Sequence, residues 1–118
     1  MSFISKRIKS IGYAAKGAYL LISTEASIKV QLAIVVIITI VGLYFEISSI
    51  EWIMQTLAIG LVMSAEGINT AIEAIADFIH PERHEKIGFI KDIAAGAVFI
   101  ASIVAVTVGL IIYLPKIT

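Results

Sequence analysis

Apolar positions follow two rhythms along this chain. Between residues 3 and 22, Ile4, Ile8, Ile11, Ala15, Ala18 and Ile22 recur at alternating steps of four and three. That spacing draws one narrow apolar stripe down a helix. Lys6, Lys9, Tyr13 and Lys16 face the other way, and a basic face opposite an apolar stripe is the pattern of a helix lying in a membrane interface. Lys6, Arg7, Lys9 and Lys16 leave no apolar stretch long enough to cross a bilayer. The basic residues are also too dispersed for a signal peptide, and no convincing small-x-small cleavage site follows.

Beyond Glu25 the stripe gives way to long apolar runs. The first covers about 30–45 and is introduced by Glu25 and Lys29, whose i,i+4 spacing suits a surface helix pair. Glu46-Ile47-Ser48-Ser49-Ile50-Glu51 then makes a short acidic loop. A second run starts near Trp52, an indole suited to a membrane interface, and continues to about Ile79, where Pro81 stops it. After a hydrophilic loop over 80–88, a third run covers about 92–114 with no charged residue from Ile93 to Pro115. These expectations amount to a surface helix over 3–22 and spans over about 30–45, 52–79 and 92–114.

Composition sharpens that picture. The chain has 118 residues, of which 59% are hydrophobic and 15% charged, with a mean hydropathy of +1.01. So few polar residues cannot cover a soluble core, so the expected class is a single all-α integral membrane domain. Formal net charge is zero, with 9 basic and 9 acidic residues and no cysteine. There is no basic block for a nucleic-acid surface, and disulfides and thiolate metal sites are excluded. Lys6, Arg7, Lys9 and Lys16 precede the first span, and Arg83, Lys86 and Lys91 lie between the second and third. Positive charge therefore predicts a cytoplasmic N-terminus and an outside C-terminus.

Against that background the end of the second run stands out. On a helix turning about 100° per residue, Glu66, Asn69, Glu73 and Asp77 share an arc of roughly 80°. A carboxylate at the centre of a lipid-embedded helix costs about 2.5–3.5 kcal/mol on the insertion scale, so such a ladder needs partners. If the helix enters lipid near Trp52 and crosses in about 20 residues, it emerges near Ile72. Glu66 then lies roughly 9 Å inside the cytoplasmic edge, with Glu73 and Asp77 at or beyond it. Glu25, Lys91 and Asp92 reach the same boundary. A deeper carboxylate can accept a proton from a hydroxyl, rim carboxylates can hold Mg²⁺ against nucleotide phosphates, and a lysine can offset phosphate charge. Phosphoryl transfer needs those three parts. The same ladder also suits a helix-packing polar network or an oligomeric proton or ion pathway. No P-loop and no G-x-G-x-x-G occurs. His80 and His84 are four apart, but Pro81 lies between them and argues against a shared helical face, which leaves them as loop residues.

The string Glu66-Gly67-Ile68-Asn69-Thr70-Ala71-Ile72-Glu73, then Asp77, then Lys91-Asp92-Ile93-Ala94-Ala95-Gly96-Ala97-Val98 resembles the signature of the prokaryotic diacylglycerol kinase family, which includes the undecaprenol kinases. The likeness extends to Gly12-Tyr13-x-x-Lys16-Gly17 and to Glu25. It implies a homotrimer in the bacterial inner membrane, with active sites shared between subunits at the cytoplasmic interface. By position, Glu66 would be the general base for the lipid hydroxyl. Glu25 and Glu73 would hold Mg²⁺ on ATP, Asn69 would orient the ladder, and Asp77, Lys91 and Asp92 would face the nucleotide. Tyr13 and Glu82-Arg83-His84 would lie near it, while the N-terminal helix would gate lipid entry. Lys6 matches the family's phosphate-side arginine by strict spacing, and Arg7 matches it one place on. Arg83 stands where an aromatic residue can occur. The Ala-Ala-Gly-Ala-Val run leans mildly toward the undecaprenol kinases. Gly60, Ser64, Gly67, Ala71 and Ala74 form a small-residue stripe about 140° around the helix from the ladder, suited to close packing between subunits or within one.

Overall fold

In the computed structural model, which describes residues 2–118, the chain forms four helices: α1 (Phe3–Thr24), α2 (Ala26–Tyr44), α3 (Ser49–Ile79) and α4 (Glu85–Ile117). The last three are long and apolar enough to cross a membrane. Ser2 caps α1 by accepting the Ser5 N–H, and no residue of α1 is buried. A single extended residue, Glu25 (φ −93°, ψ 118°), separates α1 from α2. Its N–H donates to the Leu21 carbonyl and its own carbonyl accepts from Lys29, so Glu25 both closes α1 and opens α2. The side chains of Glu25 and Lys29 form no ion pair. Glu25 lies at the joint rather than in a helix, where i,i+4 geometry does not apply.

Helix α2 starts earlier than the apolar run suggests and ends in a Schellman turn. Glu46 N–H donates to the Leu43 carbonyl and Ile47 N–H to that of Gly42, each at 3.2 Å. Glu46 takes the left-handed conformation (φ 51°) that glycine usually supplies, and Ile47 is buried behind it. Helix α3 then begins at Ser49, inside the expected 46–51 loop. Ser48 and Glu51 form a capping box, with Ser48 Oγ accepting from the Glu51 N–H and Glu51 Oε1 from the Ser48 N–H. At the other end His84 Nδ1 accepts the Lys86 N–H, so α4 opens at Glu85 and the loop shrinks to 80–84. Helix α4 also runs through Pro115 to Ile117. Pro115 has no N–H to give to the Ile111 carbonyl, yet the bonding resumes beyond it, with Thr118 N–H donating to the Leu114 carbonyl.

Helices α3 and α4 pack against each other far more extensively than any other pair. The buried positions of α3 are Gln55, Ala58, Asn69 and Ala76, and those of α4 are Ala94, Ala101 and Ile112. They recur at intervals of 3, 11 and 7 in α3 and of 7 and 11 in α4, which keeps them on one seam. Alanine dominates that seam and lets the two backbones approach. At 31 and 33 residues, α3 and α4 are about 46 and 50 Å long, against a hydrocarbon core of about 30 Å. Their polar ends therefore stand clear of lipid.

At the opposite end a clamp joins the three spanning helices. The Tyr113 hydroxyl donates to Gln55 Oε1 at 2.5 Å, with the Ile38 carbonyl 3.4 Å away. Lys116 Nζ lies 2.7 Å from Glu51 Oε2 and also donates to the Ile112 carbonyl. Gly42 lets α2 pass: a Cβ there would lie 2.8 Å from the Trp52 ring. The chain as a whole exposes 8740 Å², whereas a soluble monomer of 12.7 kDa exposes about 6,200 Å². Its radius of gyration is 17.7 Å, against about 13.5 Å for a globular domain of this length. The excess is apolar helix face, with Ile34, Val36, Ile37 and Ile40 of α2 among the exposed residues.

Candidate active site at one end of the α3–α4 hairpin

The polar ladder follows the α3–α4 seam toward its loop end. Asn69 sits in the seam, 8% exposed, because helical spacing from Gln55 and Ala58 carries the buried stripe through it. Glu66, one turn nearer the middle of the helix, is half-buried. Glu73, one turn the other way, is exposed. Asn69 Nδ2 donates to Glu73 Oε1 at 3.1 Å, while Asn69 Oδ1 is buried with no partner. At the next turn Asp77 reaches across to α4, where Lys91 Nζ lies 2.6 Å from Asp77 Oδ1. Their side chains are 58% and 37% exposed respectively, so water screens the pair and it stays open to exchange for another ligand.

Past that pair the loop and the first turns of α4 enclose an open pocket of about 570 Å³. Glu82, Arg83, His84, Lys91 and Asp92 all line it, so five of the residues expected to face a nucleotide come together. Glu85 and Phe89 line it too, although nothing in the sequence pattern singled them out. Their place follows from where α4 begins, because starting the helix at Glu85 turns Phe89 and Lys91–Asp92 toward the loop. His80 and His84 stack edge-on with ring centroids 5.1 Å apart. His80 Nδ1 lies 2.8 Å from the Glu82 carbonyl and therefore carries the proton there, and His84 Nδ1 is spent on the helix cap. They order the loop, as loop residues.

The remaining expected residues stand apart from that pocket. Glu25 is half-buried at the α1–α2 joint and its side chain makes no capping bond. Lys6 and Tyr13 project from exposed faces of α1. Among the described residues no three or more His, Asp or Glu side chains converge as a metal-ion cage. Of the two carboxylates expected to hold a metal, Glu73 has one oxygen held by Asn69 and one open, and Glu25 makes no capping bond. Two carboxylates with open positions suit Mg²⁺, which takes much of its shell from water and phosphate. The small-residue stripe is partly used within the chain. Leu21 of α1 packs on Gly67, where a Cβ would lie 2.9 Å from Leu21 Cδ2, while Gly60, Ser64, Ala71 and Ala74 stay exposed.

A multi-pass membrane protein with acids, a lysine and an open pocket gathered at one end of the α3–α4 hairpin has the parts of a phosphotransferase. Comparison with known proteins gives the class its family. The profile described as prokaryotic diacylglycerol kinase matches residues 12–113. The chain is 35% identical over 113 residues to the undecaprenol kinase of Bacillus subtilis, covering 96% of this chain and 92% of that protein. It is 35% identical over 99 residues to the diacylglycerol kinase of Escherichia coli K12, covering 84% and 81%. With the diacylglycerol kinase of Haemophilus influenzae it shares 31% over 94 residues, covering 80% of each. The chain belongs to the prokaryotic diacylglycerol kinase family and is an enzyme of that type.

Proposed function

We propose that this chain is an ATP- and Mg²⁺-dependent lipid kinase, transferring the γ-phosphate of ATP to the hydroxyl of diacylglycerol or undecaprenol at the cytoplasmic face of the bacterial inner membrane. The observation that carries the reading is the depth series on α3. It runs from half-buried Glu66 through Asn69 and Glu73 to Asp77–Lys91 and the open loop pocket. A lipid alcohol approaches such a series from the membrane and a nucleotide from water, and they meet between Glu66 and Glu73.

Glu66 takes the proton of the acceptor hydroxyl as general base. Its half-burial keeps bulk water from competing for that role. Glu25 and Glu73 hold Mg²⁺, which when bound neutralises phosphate charge. Lys91, released from Asp77, offsets the triphosphate, with Asp77 and Asp92 beside it. Glu82, Arg83 and His84 line the nucleotide pocket, and Lys6 and Tyr13 approach it from α1. Asn69 fixes one oxygen of Glu73. That Lys6, Tyr13 and Glu25 do not line the loop pocket supports a homotrimer in which a neighbouring subunit completes each site. The N-terminus lies in the cytoplasm and the C-terminus outside, as the distribution of Lys and Arg directs.

Purified protein given labelled ATP, Mg²⁺ and either diacylglycerol or undecaprenol labels one of the two lipids, and that assay also names the acceptor. Folded protein that labels neither overturns the reading. Glu66→Gln abolishes transfer while nucleotide binding persists, because shape is nearly kept and proton acceptance is lost. Near-normal turnover in that variant would place the base elsewhere.

A further inference from the structure

The loop pocket holds one aromatic ring that the proposed mechanism leaves unused. Phe89 lines it and is 65% exposed, ahead of the uncharged run of α4 that begins at Ile93. An exposed phenylalanine alone means little; its setting means more. On a helix turning about 100° per residue, Glu85, Gly88, Phe89 and Asp92 share an arc of roughly 100°, and all four line the pocket. Lys86, Ile90 and Ile93 fall on a separate arc centred about 120° round the helix, and none of them lines it. Phe89 therefore belongs to the pocket face of α4 rather than to its Ile90–Ile93 face. The other ring in the pocket, His84, is already committed. Its Nδ1 accepts the Lys86 N–H and it meets His80 edge-on at 5.1 Å. Beside Phe89 there is open space, since a Cβ on Gly88 would meet nothing within 4 Å.

The order of groups along the site decides what such a ring receives. With the triphosphate between Glu73 and Lys91, the rest of the nucleotide extends toward the start of α4. Phe89 stands about 4.5 Å nearer that start than Asp92 does. What a nucleoside triphosphate carries beyond its phosphates is a sugar and a flat aromatic base. A phenyl ring offers the base a face to stack on, and such stacking is tolerant of base identity because every base has a π-face. Arg83 lines the same pocket from the loop and belongs to neither of the two ion pairs of the described residues. Its planar guanidinium is therefore free to meet the base as well.

We propose that Phe89 is a nucleobase-binding residue of this site, its ring stacking on the adenine of ATP while Lys91 holds the phosphates. This rests on the reading of the chain as an ATP-dependent kinase. The base lies far from the reacting phosphorus, so the stack is the same in the ground state and in the transition state. Such uniform binding lowers the KM for ATP and leaves kcat where it was. It also covers a phenyl face that otherwise stays open to water.

The test uses the full chain in mixed micelles at saturating lipid and Mg²⁺. Phe89→Leu keeps an apolar side chain at an exposed position and removes the flat face. It raises the ATP KM about tenfold, with kcat at saturating ATP within about twofold of the parent. Phe89→Tyr and Phe89→Trp restore a ring and hold the ATP KM within about threefold of the parent. Inhibition by magnesium tripolyphosphate, which has the phosphates and no base, is the same in Phe89→Leu as in the parent. A binding measurement needs no turnover: the indole emission that Phe89→Trp adds to that of Trp52 is quenched by magnesium ATP and not by magnesium tripolyphosphate. An ATP KM unchanged in Phe89→Leu, the result expected if the ring only anchors α4 at the membrane surface, overturns the proposal. So does an equal weakening of tripolyphosphate, or an added indole blind to ATP. Failure of the parent chain to label either lipid would instead defeat the kinase assignment itself.

Discussion

Replacing Tyr113 with Phe removes one oxygen atom and nothing else from the clamp at the end of the bundle remote from the site. That oxygen donates to Gln55 Oε1 at 2.5 Å, and Gln55 is only 6% exposed. Without it, a buried amide oxygen in the α3–α4 seam loses its donor. In water-soluble proteins such an orphan costs about 1–3 kcal/mol. Hydrogen bonds between membrane helices average about 0.6 kcal/mol and reach about 1.7, because the unfolded chain in the membrane finds other partners. Gln55 is held inside a protein seam rather than facing lipid, which places Tyr113→Phe near the top of that range, at about 1–1.7 kcal/mol. Gln55→Leu alone should cost less, since the freed hydroxyl still has the Ile38 carbonyl 3.4 Å away to turn to. The double variant, with both polar groups gone, should return to within about 0.5 kcal/mol of the parent. Unfolding by graded SDS in mixed micelles, followed by far-UV circular dichroism, reads all four species. Additive single costs, or a Tyr113→Phe loss below about 0.3 kcal/mol, would show that the hydroxyl and the amide are not coupled as described.

Other outcomes follow from local geometry. Gly42→Ala pushes a methyl to 2.8 Å from the Trp52 ring, so overpacking of about 1–3 kcal/mol outweighs the helix-propensity gain of about 1 kcal/mol. Gly109→Ala meets nothing within 4 Å and should stabilise by up to about 1 kcal/mol; equal effects in thermal melts would refute the contrast. Glu46→Gly relieves a left-handed backbone at φ 51° and should stabilise by about 0.5–1 kcal/mol after the chain-entropy cost of glycine, and a lower melting point would assign the Glu46 side chain a role of its own. Glu73→Gln should raise the Mg²⁺ concentration needed for half-maximal transfer, and an unchanged requirement would remove Glu73 from the metal site.

The number of helices and the three apolar spans were legible because unbroken apolar runs admit few other structures, and the ladder was legible because helical spacing alone puts Glu66, Asn69, Glu73 and Asp77 on one face. Helix ends were less so. Helix α4 begins at Glu85 and outlasts Pro115 for reasons of capping and position that hydropathy does not register. The box formed by Ser48 and Glu51 was written in the sequence as S-x-x-E, yet an acidic loop was the simpler expectation. Pairings across the bundle were hidden altogether. Glu51 and Lys116 are 65 residues apart, and Gln55 and Tyr113 are 58 apart. No periodicity links such partners until the hairpin closes. Asn69 was visible as a polar residue, whereas the unmet oxygen on its side chain required the packed seam.

The single-residue bend between α1 and α2 has a mechanical consequence. Glu25 is tied by backbone bonds to Leu21 on one side and Lys29 on the other, so it marks the fulcrum about which a lever of 22 residues would swing. Points on a lever travel in proportion to their distance from the fulcrum. Tilting α1 over the membrane surface therefore sweeps Lys6 and Tyr13 through long arcs and leaves the Glu25 carboxylate nearly stationary.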